Sequence, residues 1–198
     1  TKGLDLKAKM KPSDVEWLGE IPDGWEVKRF KYLARLQYGD SLASENRENG
    51  NIDVYGSNGP VGVHSRANTE TPAIIVGRKG TFGAINYTEK AVFAIDTTYF
   101  IDERWSKVNL KWLAYCMSAA NLDDISQDTG VPGLSSEAVQ KKFFPFPAKQ
   151  QQKQIADYID HETAKIDGVI KKVETQIEKL QEYRQALISN AVTGKIKV

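Results

Sequence analysis

Cysteine and histidine are nearly absent from this 198-residue chain, and their scarcity excludes two kinds of chemistry. Cys116 is the single cysteine, so no disulfide can form within the chain. His64 and His161 are the two histidines, and with Cys116 they offer no spacing typical of a zinc site. We therefore expect neither metal nor redox chemistry from this protein.

Long apolar segments are also missing. No stretch approaches the ~20 consecutive apolar residues that a membrane-spanning helix requires. The first eleven residues contain four lysines and no apolar run of the signal-peptide type. The sequence therefore predicts a cytoplasmic protein that has no membrane partner.

Neither charge nor motif marks a particular enzyme. The chain has 27 Lys and Arg against 26 Asp and Glu, so a strongly basic balance typical of nucleic-acid-binding proteins is absent. There is no Gly-x-Ser-x-Gly nucleophile motif and no phosphate-binding loop, and Lys79-Gly80-Thr81 reverses the order that such a loop has. The enzymatic alternative is a nuclease that would use carboxylates such as Asp53 and Asp96.

The composition that remains, 40% hydrophobic and 27% charged, is that of a folded globular protein, and its periodicity changes near residue 149. Residues 149–191 contain no proline and one glycine, which predicts a single helix roughly 65 Å long. Apolar residues recur at intervals of three and four, as in a coiled-coil seam, and a compact domain cannot cover so long a stripe, so we expect a partner helix. The apolar members of the seam are Ile155, Ile159, Ile166, Ile170, Val173, Ile177, Leu180, Leu187 and Ala191, interrupted by Thr163 and Arg184.

The first region, residues 1–148, alternates short apolar runs with turns rich in Gly, Asn and Pro, which predicts a mixed α/β domain. We expect strands at 51–55, 73–77, 83–87, 91–95 and 98–102. Helices are expected at 109–119 and at 136–142, the second capped by Ser135.

Glycine-rich turns at 56–60 and 77–83 carry the polar side chains best suited to DNA. Glycine lets the backbone pass close to a phosphate or a base edge because it has no Cβ. Arg78 and Lys79 suit phosphates or guanine, and the other polar side chains suit base edges. The candidate DNA-binding residues are Tyr55, Ser57, Asn58, His64, Arg66, Arg78, Lys79 and Thr81.

A second group of cations consists of Lys28, Arg29, Lys31 and Arg35. It lies in a segment, residues 27–39, that contains no acidic residue. A solvated surface is the alternative interpretation of each basic group by itself.

Several segments carry a resemblance when taken in their order along the chain. They are VEWLGEIP at 15–22, WEV at 25–27, YGSNGPVG at 55–62, IVGRKG at 75–80, FP at 146–147, QQKQI at 151–155 and LISNAVTGK at 187–195. Together they resemble the specificity subunit of type I restriction-modification systems, over nearly the whole chain. Two positions depart from that family: Gln151 stands where Glu is frequent, and Asp14 where Gly is common.

The resemblance implies a non-catalytic subunit that selects the DNA sequence for other subunits. Its partners would be duplex DNA, methyltransferase subunits and restriction subunits, and S-adenosylmethionine and ATP with Mg²⁺ would be used by those subunits rather than by this chain. The implied fold is α+β: a mixed-sheet target recognition domain over residues 1–148, followed by one long coiled-coil helix over residues 149–198.

Members of this family usually have two recognition domains, each followed by a helix, with the two helices packed antiparallel. This chain has one domain and one helix, so we expect a half-subunit or the C-terminal half of a longer subunit. A half-subunit would form a homodimer through residues 155–191. A coiled-coil adaptor whose globular part binds protein is the alternative from a different functional class.

Overall fold

The structure is a computed structural model and describes residues 3–5, 7–125 and 133–195. The chain divides into two compact units, Thr1–Ala156 and Asp157–Val198. The first unit combines short strands with helices and the second is helical, so the expected α+β class is confirmed. The described helices contain no segment long and apolar enough to cross a membrane.

Eleven strands and three α-helices form in the described residues. The strands are β1 (Met10–Pro12), β2 (Glu20–Pro22), β3 (Glu26–Arg29), β4 (Gln37–Tyr38), β5 (Ile52–Gly56), β6 (Gly59–His64), β7 (Ala73–Gly77), β8 (Ile85–Thr88), β9 (Phe93–Ala94), β10 (Thr98–Asp102) and β11 (Phe143–Phe146). The helices are α1 (Leu110–Ala119), α2 (Ser136–Lys141) and α3 (Lys149–Val192).

An antiparallel sheet in the order β4-β10-β7-β8 forms the centre of the first unit. Every residue of β7 and β10 is buried, because these two strands lie inside the sheet and carry apolar runs. Helix α1 packs against β7 and β8 and places Trp112, Leu113 and Met117 in the core. The three-stranded sheet β6-β5-β9 and two smaller ribbons, β1-β2 and β3-β11, complete the unit.

The predictions for the buried strands and the helix starts are confirmed. Strands β7 and β10 span the expected residues. The Asn109 side chain accepts a hydrogen bond from the Trp112 amide at the start of α1, and Ser135 does the same for the Ala138 amide at α2. Helix α3 begins at Lys149, as predicted, and continues one residue beyond Ala191.

Other element predictions were wrong. The turn expected at 56–60 is shorter, because β6 begins at Gly59 and pairs with β5 as a hairpin. The strand expected at 91–95 has two residues, and the strand expected at 83–87 starts at Ile85 because residues 77–84 form a closed turn. Ribbons β1-β2 and β3-β11 were missed because strands of three or four residues carry little periodicity.

The two departures from the family pattern lie at different structural positions. Asp14 has a φ of 58°, a left-handed conformation that favours glycine and that Asp tolerates better than most residues. Gln151 is exposed, and its side chain accepts from the Ala148 amide. Its neighbour Gln152 is buried and needs both ends of its amide, accepting from the Asn109 amide and donating to the Pro147 carbonyl.

Candidate nucleic-acid interface

Three turns meet at one backbone carbonyl, that of Thr97. It accepts hydrogen bonds from the amides of Arg78 (2.9 Å) and Lys79 (3.1 Å) and from the Ser57 hydroxyl (2.7 Å). Ser57 lies in the turn of the β5-β6 hairpin, Arg78 and Lys79 follow β7, and Thr97 precedes β10. These bonds fix the three turns at one end of the central sheet. We call this group, Ser57, Asn58, Arg78, Lys79 and Thr81, the loop cluster.

Gly77 allows the turns to approach each other. A Cβ at this position would lie 2.1 Å from the Thr81 carbonyl oxygen and 2.9 Å from that of Ser57, so only glycine fits. The turn is closed by the Gly77 amide, which donates to the Ala84 carbonyl, and by the Gly83 amide, which donates to the Gly77 carbonyl. The glycine spacing noted in the sequence therefore shapes a tight loop that carries Arg78 and Lys79.

Three groups hold the side chain of Arg78, and none of them is a carboxylate. Its guanidinium carbon lies 5.0 Å from the centre of the Tyr38 ring and 5.8 Å from that of Tyr99. One guanidinium nitrogen donates to the Asp96 carbonyl at 3.0 Å. Within the described part of the chain no carboxylate forms an ion pair with Arg78. Because arginine has five N–H donors, most remain available to an anion or a base edge.

Tyr99 lies beside Arg78 and carries no negative charge that would offset the guanidinium. Its hydroxyl donates to the Leu134 carbonyl at 3.0 Å. Burial raises the pKa of Tyr99 above the ordinary tyrosine value, and the neighbouring Tyr38 hydroxyl raises it further. The ring therefore stays neutral at physiological pH, and the loop cluster carries the two positive charges of Arg78 and Lys79.

The other members of the loop cluster lie at the surface. Asn58, Lys79 and Thr81 are exposed, and the Lys79 backbone forms a bridge with Gly133. Five of the eight predicted DNA-binding residues thus come together.

His64, Arg66 and Tyr55 are not part of the loop cluster. His64 is 2% exposed, with its Nδ1 accepting from the Glu48 amide and its ring packed edge-on against Phe93. His64 ends β6, roughly 17 Å along the strand from the hairpin turn, and Arg66 follows two residues later. Tyr55 is half-buried in β5 and packs against a core cluster.

Sequence reasoning missed Tyr38 and Thr97, and it considered Asp96 only as a carboxylate of the nuclease alternative. Tyr38 is 57% exposed and forms the surface on which Arg78 lies. An aromatic residue next to a glycine is a weak signal for such a role. Asp96 and Thr97 act through their carbonyls, which no side-chain pattern reveals.

The second unit carries most of the apolar residues that the sequence assigns to the seam. From Ile166 to Leu187 these apolar residues are 41–66% exposed in the single chain. Thr163, a polar interruption, satisfies its hydroxyl by donating to the Ile159 carbonyl at 2.8 Å. Ile155 lies in the first unit, where it packs beside Leu18, Ile21 and Trp25. Ile159 is half-buried, so the exposed row of apolar residues begins at Ile166.

A metal centre has no ligand set among the described residues, which contain no group of three or more His, Cys, Asp or Glu placed to hold an ion. Cys116 is half-buried on α1, and the surrounding protein raises the pKa of its thiol to about 12 by desolvating the charged form. It is therefore protonated at physiological pH and poorly nucleophilic.

Comparisons with known proteins agree with this architecture. The model of the type I restriction modification DNA specificity domain matches residues 22–179. The Escherichia coli type I restriction enzyme EcoBI specificity subunit is 28% identical over 127 residues, which cover 62% of this chain and 26% of that protein.

Two solved structures share the fold at 16% sequence identity. The type I restriction-modification S subunit from M. genitalium superposes with a TM-score of 0.65, covering 96% of this chain and 49% of that one. A chain from a structural study of complex assembly and conformational transition in the type I R-M system gives a TM-score of 0.70, covering 86% of this chain and 46% of that one. The chain thus spans a quarter to a half of the length of these relatives. With most of its residues matched to the family model, this chain belongs to the type I restriction modification DNA specificity domain family.

Proposed function

We propose that this chain recognises one half of a bipartite site in duplex DNA, with the loop cluster as its contact surface. The observation that carries the proposal is the convergence of Ser57, Arg78 and Lys79 on the Thr97 carbonyl, which presents two cations and several hydroxyl and amide groups on one surface. Cations bind phosphates, and a guanidinium can also donate two hydrogen bonds to guanine in the major groove.

The target recognition domain in this proposal comprises residues 1–148, and residues 149–198 form the spacer. Two recognition domains held apart by a rigid helix would contact two half-sites separated by unread base pairs. A helix rises 1.5 Å per residue, so the length of the seam fixes that separation.

The partners in this proposal are a second helix and the catalytic subunits. A homodimer through the seam of α3 would bury the exposed residues Ile166, Ile170 and Val173 together with the apolar positions that follow them. Methyltransferase subunits using S-adenosylmethionine, and restriction subunits using ATP and Mg²⁺, would carry out the chemistry in the cytoplasm. This chain would supply specificity and no catalytic group.

Methylation-sensitive sequencing of cellular DNA tests the proposal. Cells would produce this chain together with its methyltransferase subunit, and control cells would produce the methyltransferase subunit alone. We expect a methylated motif with an unspecified gap in the first culture and none in the second. If the two subunits co-purify and no motif appears, and the purified chain also shows no salt-dependent binding to duplex DNA, the proposal is wrong.

A further inference from the structure

A basic surface outside the loop cluster consists of Lys28, Arg29, Lys31, Arg35 and Lys107, which we call the basic cluster. Lys28 and Arg29 lie on β3, and Lys31 lies on the short helix Phe30–Tyr32. Arg35 follows that helix by three residues. Lys107 joins them through folding. The Lys107 amide donates to the Leu33 carbonyl and the Arg35 amide to the Trp105 carbonyl, both at 2.8 Å, so the two segments run side by side.

The basic cluster has little acidic compensation. Lys28 forms an ion pair with Glu26 at 2.9 Å. In the described residues no ion pair includes Arg29, Lys31, Arg35 or Lys107, and all four are exposed. Four uncompensated positive charges on one surface raise the local potential in a chain whose formal net charge is +1.

Aromatic rings orient three of the five cations in the basic cluster. The Lys28 ammonium lies 3.7 Å from the centre of the Phe146 ring, the Arg29 guanidinium 5.2 Å from that of Phe143, and the Lys31 ammonium 5.0 Å from that of Tyr32. The first two pairs line an open cleft of about 710 Å³. A cation on an aromatic face is held by electrostatic attraction, and the N–H groups pointing away from the ring stay free to bind an anion.

We infer that the basic cluster binds the phosphate backbone of duplex DNA beside the half-site that the loop cluster contacts. This inference rests on the proposed function. Arg35 precedes Tyr38, the residue under Arg78, by three positions, which span at most roughly 11 Å. That distance corresponds to about three base-pair steps of 3.4 Å, so flanking phosphates lie within reach of the basic cluster.

The arrangement favours backbone binding over base stacking. Stacking on single-stranded nucleic acid uses open ring faces, and here lysine or arginine already lies over one face of each of Tyr32, Phe143 and Phe146. Phosphates on a duplex recur at short intervals, and cations spread over two adjacent segments match such a repeated charge. The expected effect is affinity that does not depend on base sequence.

The test compares two full-length variants that lose the same charge. In the cluster variant Arg29, Lys31, Arg35 and Lys107 are each replaced by Gln. The matched control carries Lys7→Gln, Lys9→Gln, Lys90→Gln and Lys153→Gln, four exposed lysines elsewhere in the first unit. Thermal unfolding followed by circular dichroism verifies that both variants are folded.

The measurement is the dissociation constant for a fluorescent 40-base-pair duplex of random sequence, at salt concentrations from about 50 to 200 mM. A plot of the logarithm of the association constant against the logarithm of the salt concentration has a negative slope. We expect the magnitude of this slope to decrease by about 2 to 4 in the cluster variant, since each phosphate contact contributes about 0.9. Affinity at the lowest salt should fall at least about tenfold below that of the control variant. The preference for the methylated motif over a scrambled duplex should stay unchanged, because phosphate contacts carry no sequence information.

Three outcomes would overturn the inference. If the cluster variant binds DNA as the control variant does, the basic cluster contacts no DNA, while the proposed function of the loop cluster stands. If it binds DNA normally but no longer co-purifies with the methyltransferase subunit, the surface is an interface for an acidic protein. If the unmodified chain binds no duplex at all, the proposed function and this inference fail together.

Discussion

Arg78 owes its position to backbone groups more than to other side chains. Its amide is fixed by the Thr97 carbonyl, its guanidinium by the Asp96 carbonyl, and its side chain rests against Tyr38. An arginine held in this way loses less conformational entropy on binding than a free surface arginine does. This preorganisation is the physical reason to assign Arg78 a specific contact rather than a diffuse electrostatic one.

Replacement of Arg78 by Ala should weaken binding to the methylated motif by about 1–3 kcal/mol, roughly 5- to 150-fold, if the contact is bidentate to guanine. Arg78→Lys separates the two kinds of contact, because lysine keeps the charge and loses the bidentate geometry. Titrations of motif and scrambled duplexes measure both variants, with Lys90→Ala as the surface control. Unchanged affinity of a folded Arg78→Ala protein would remove Arg78 from the interface.

Asp102 contributes to the stability of the fold rather than to the recognition of DNA. Its buried carboxylate accepts from the Glu70 amide (3.0 Å), from the Arg104 amide (3.1 Å) and from the Arg104 guanidinium (2.5 Å). Burial raises the pKa of Asp102, but the Arg104 hydrogen bonds and the Glu70 amide outweigh it, so the pKa lies below its ordinary value. A depressed pKa stabilises the fold above the unfolded-state value of about 3.9, and this contribution disappears as pH falls through the folded-state pKa.

Asp102→Ala should therefore lower the free energy of unfolding at pH 7 by about 1–3 kcal/mol, since two backbone amides lose their acceptor. The loss of stability below about pH 4 should be shallower in this variant than in the unmodified chain. Urea unfolding at a series of pH values measures both effects. Glu103→Gln, at an exposed neighbouring position, is the control. Equal slopes for Asp102→Ala and the unmodified chain would show that Asp102 does not contribute to the acid sensitivity.

At the scale of single elements, different features of the sequence determine the length of α3 and the position of its apolar face. The absence of proline permits 44 consecutive helical residues, and Gly168 is tolerated within them. The three-four spacing gathers Ile170 and Ile177 on one face, where each is 49% exposed in the single chain. Exposed isoleucines in such a row favour association because pairing removes them from water.

Replacing both Ile170 and Ile177 by Lys should abolish association of the helices, because two charges per helix would be buried in the seam. The matched control is Ala164→Lys with Thr175→Lys, which adds the same charge to exposed positions outside the seam. Sedimentation velocity should give a monomer for the seam variant and a dimer for the control and the unmodified chain. If the seam variant is still dimeric, the contact between copies lies elsewhere.

For the whole molecule, the proposed dimer determines the symmetry of the target. Two identical recognition domains related by a two-fold axis contact identical half-sites in opposite orientation, so the motif must be palindromic with a fixed gap. The same sequencing experiment measures this symmetry. An asymmetric gapped motif would show instead that the chain pairs with a different recognition domain.

Elements in the interior followed closely from local sequence. Strand β7 is a continuous apolar run and β10 is apolar at its centre, Tyr99–Ile101, and both were predicted to the residue. Asn109 and Ser135 marked the starts of their helices. Strand β6 was not predicted, because Gly59, Pro60 and Gly62 are typical of a turn. It forms as an edge strand, where only one side of the backbone pairs and proline is tolerated.

The candidate site likewise combines features that local sequence predicted with features that only folding created. Glycines around Arg78 and Lys79 identified a tight loop, since Gly77 is needed wherever two backbones come this close. The sequence alone could not show that residues 57–66 span both ends of a hairpin. That topology places Ser57 beside Arg78 and moves His64 into a buried contact with Phe93.

The amino-acid sequence by itself determined the long helix and its row of apolar residues, the buried strands, the Ser135 cap and the family, since each depends on neighbouring residues or on a short period. Only the tertiary structure decided which turns meet at Thr97, that Tyr38 lies under Arg78, and that Lys107 joins the basic cluster. Those contacts join residues far apart in the chain through backbone carbonyls and strand register. Almost any residue type supplies a carbonyl, so no local pattern could announce them.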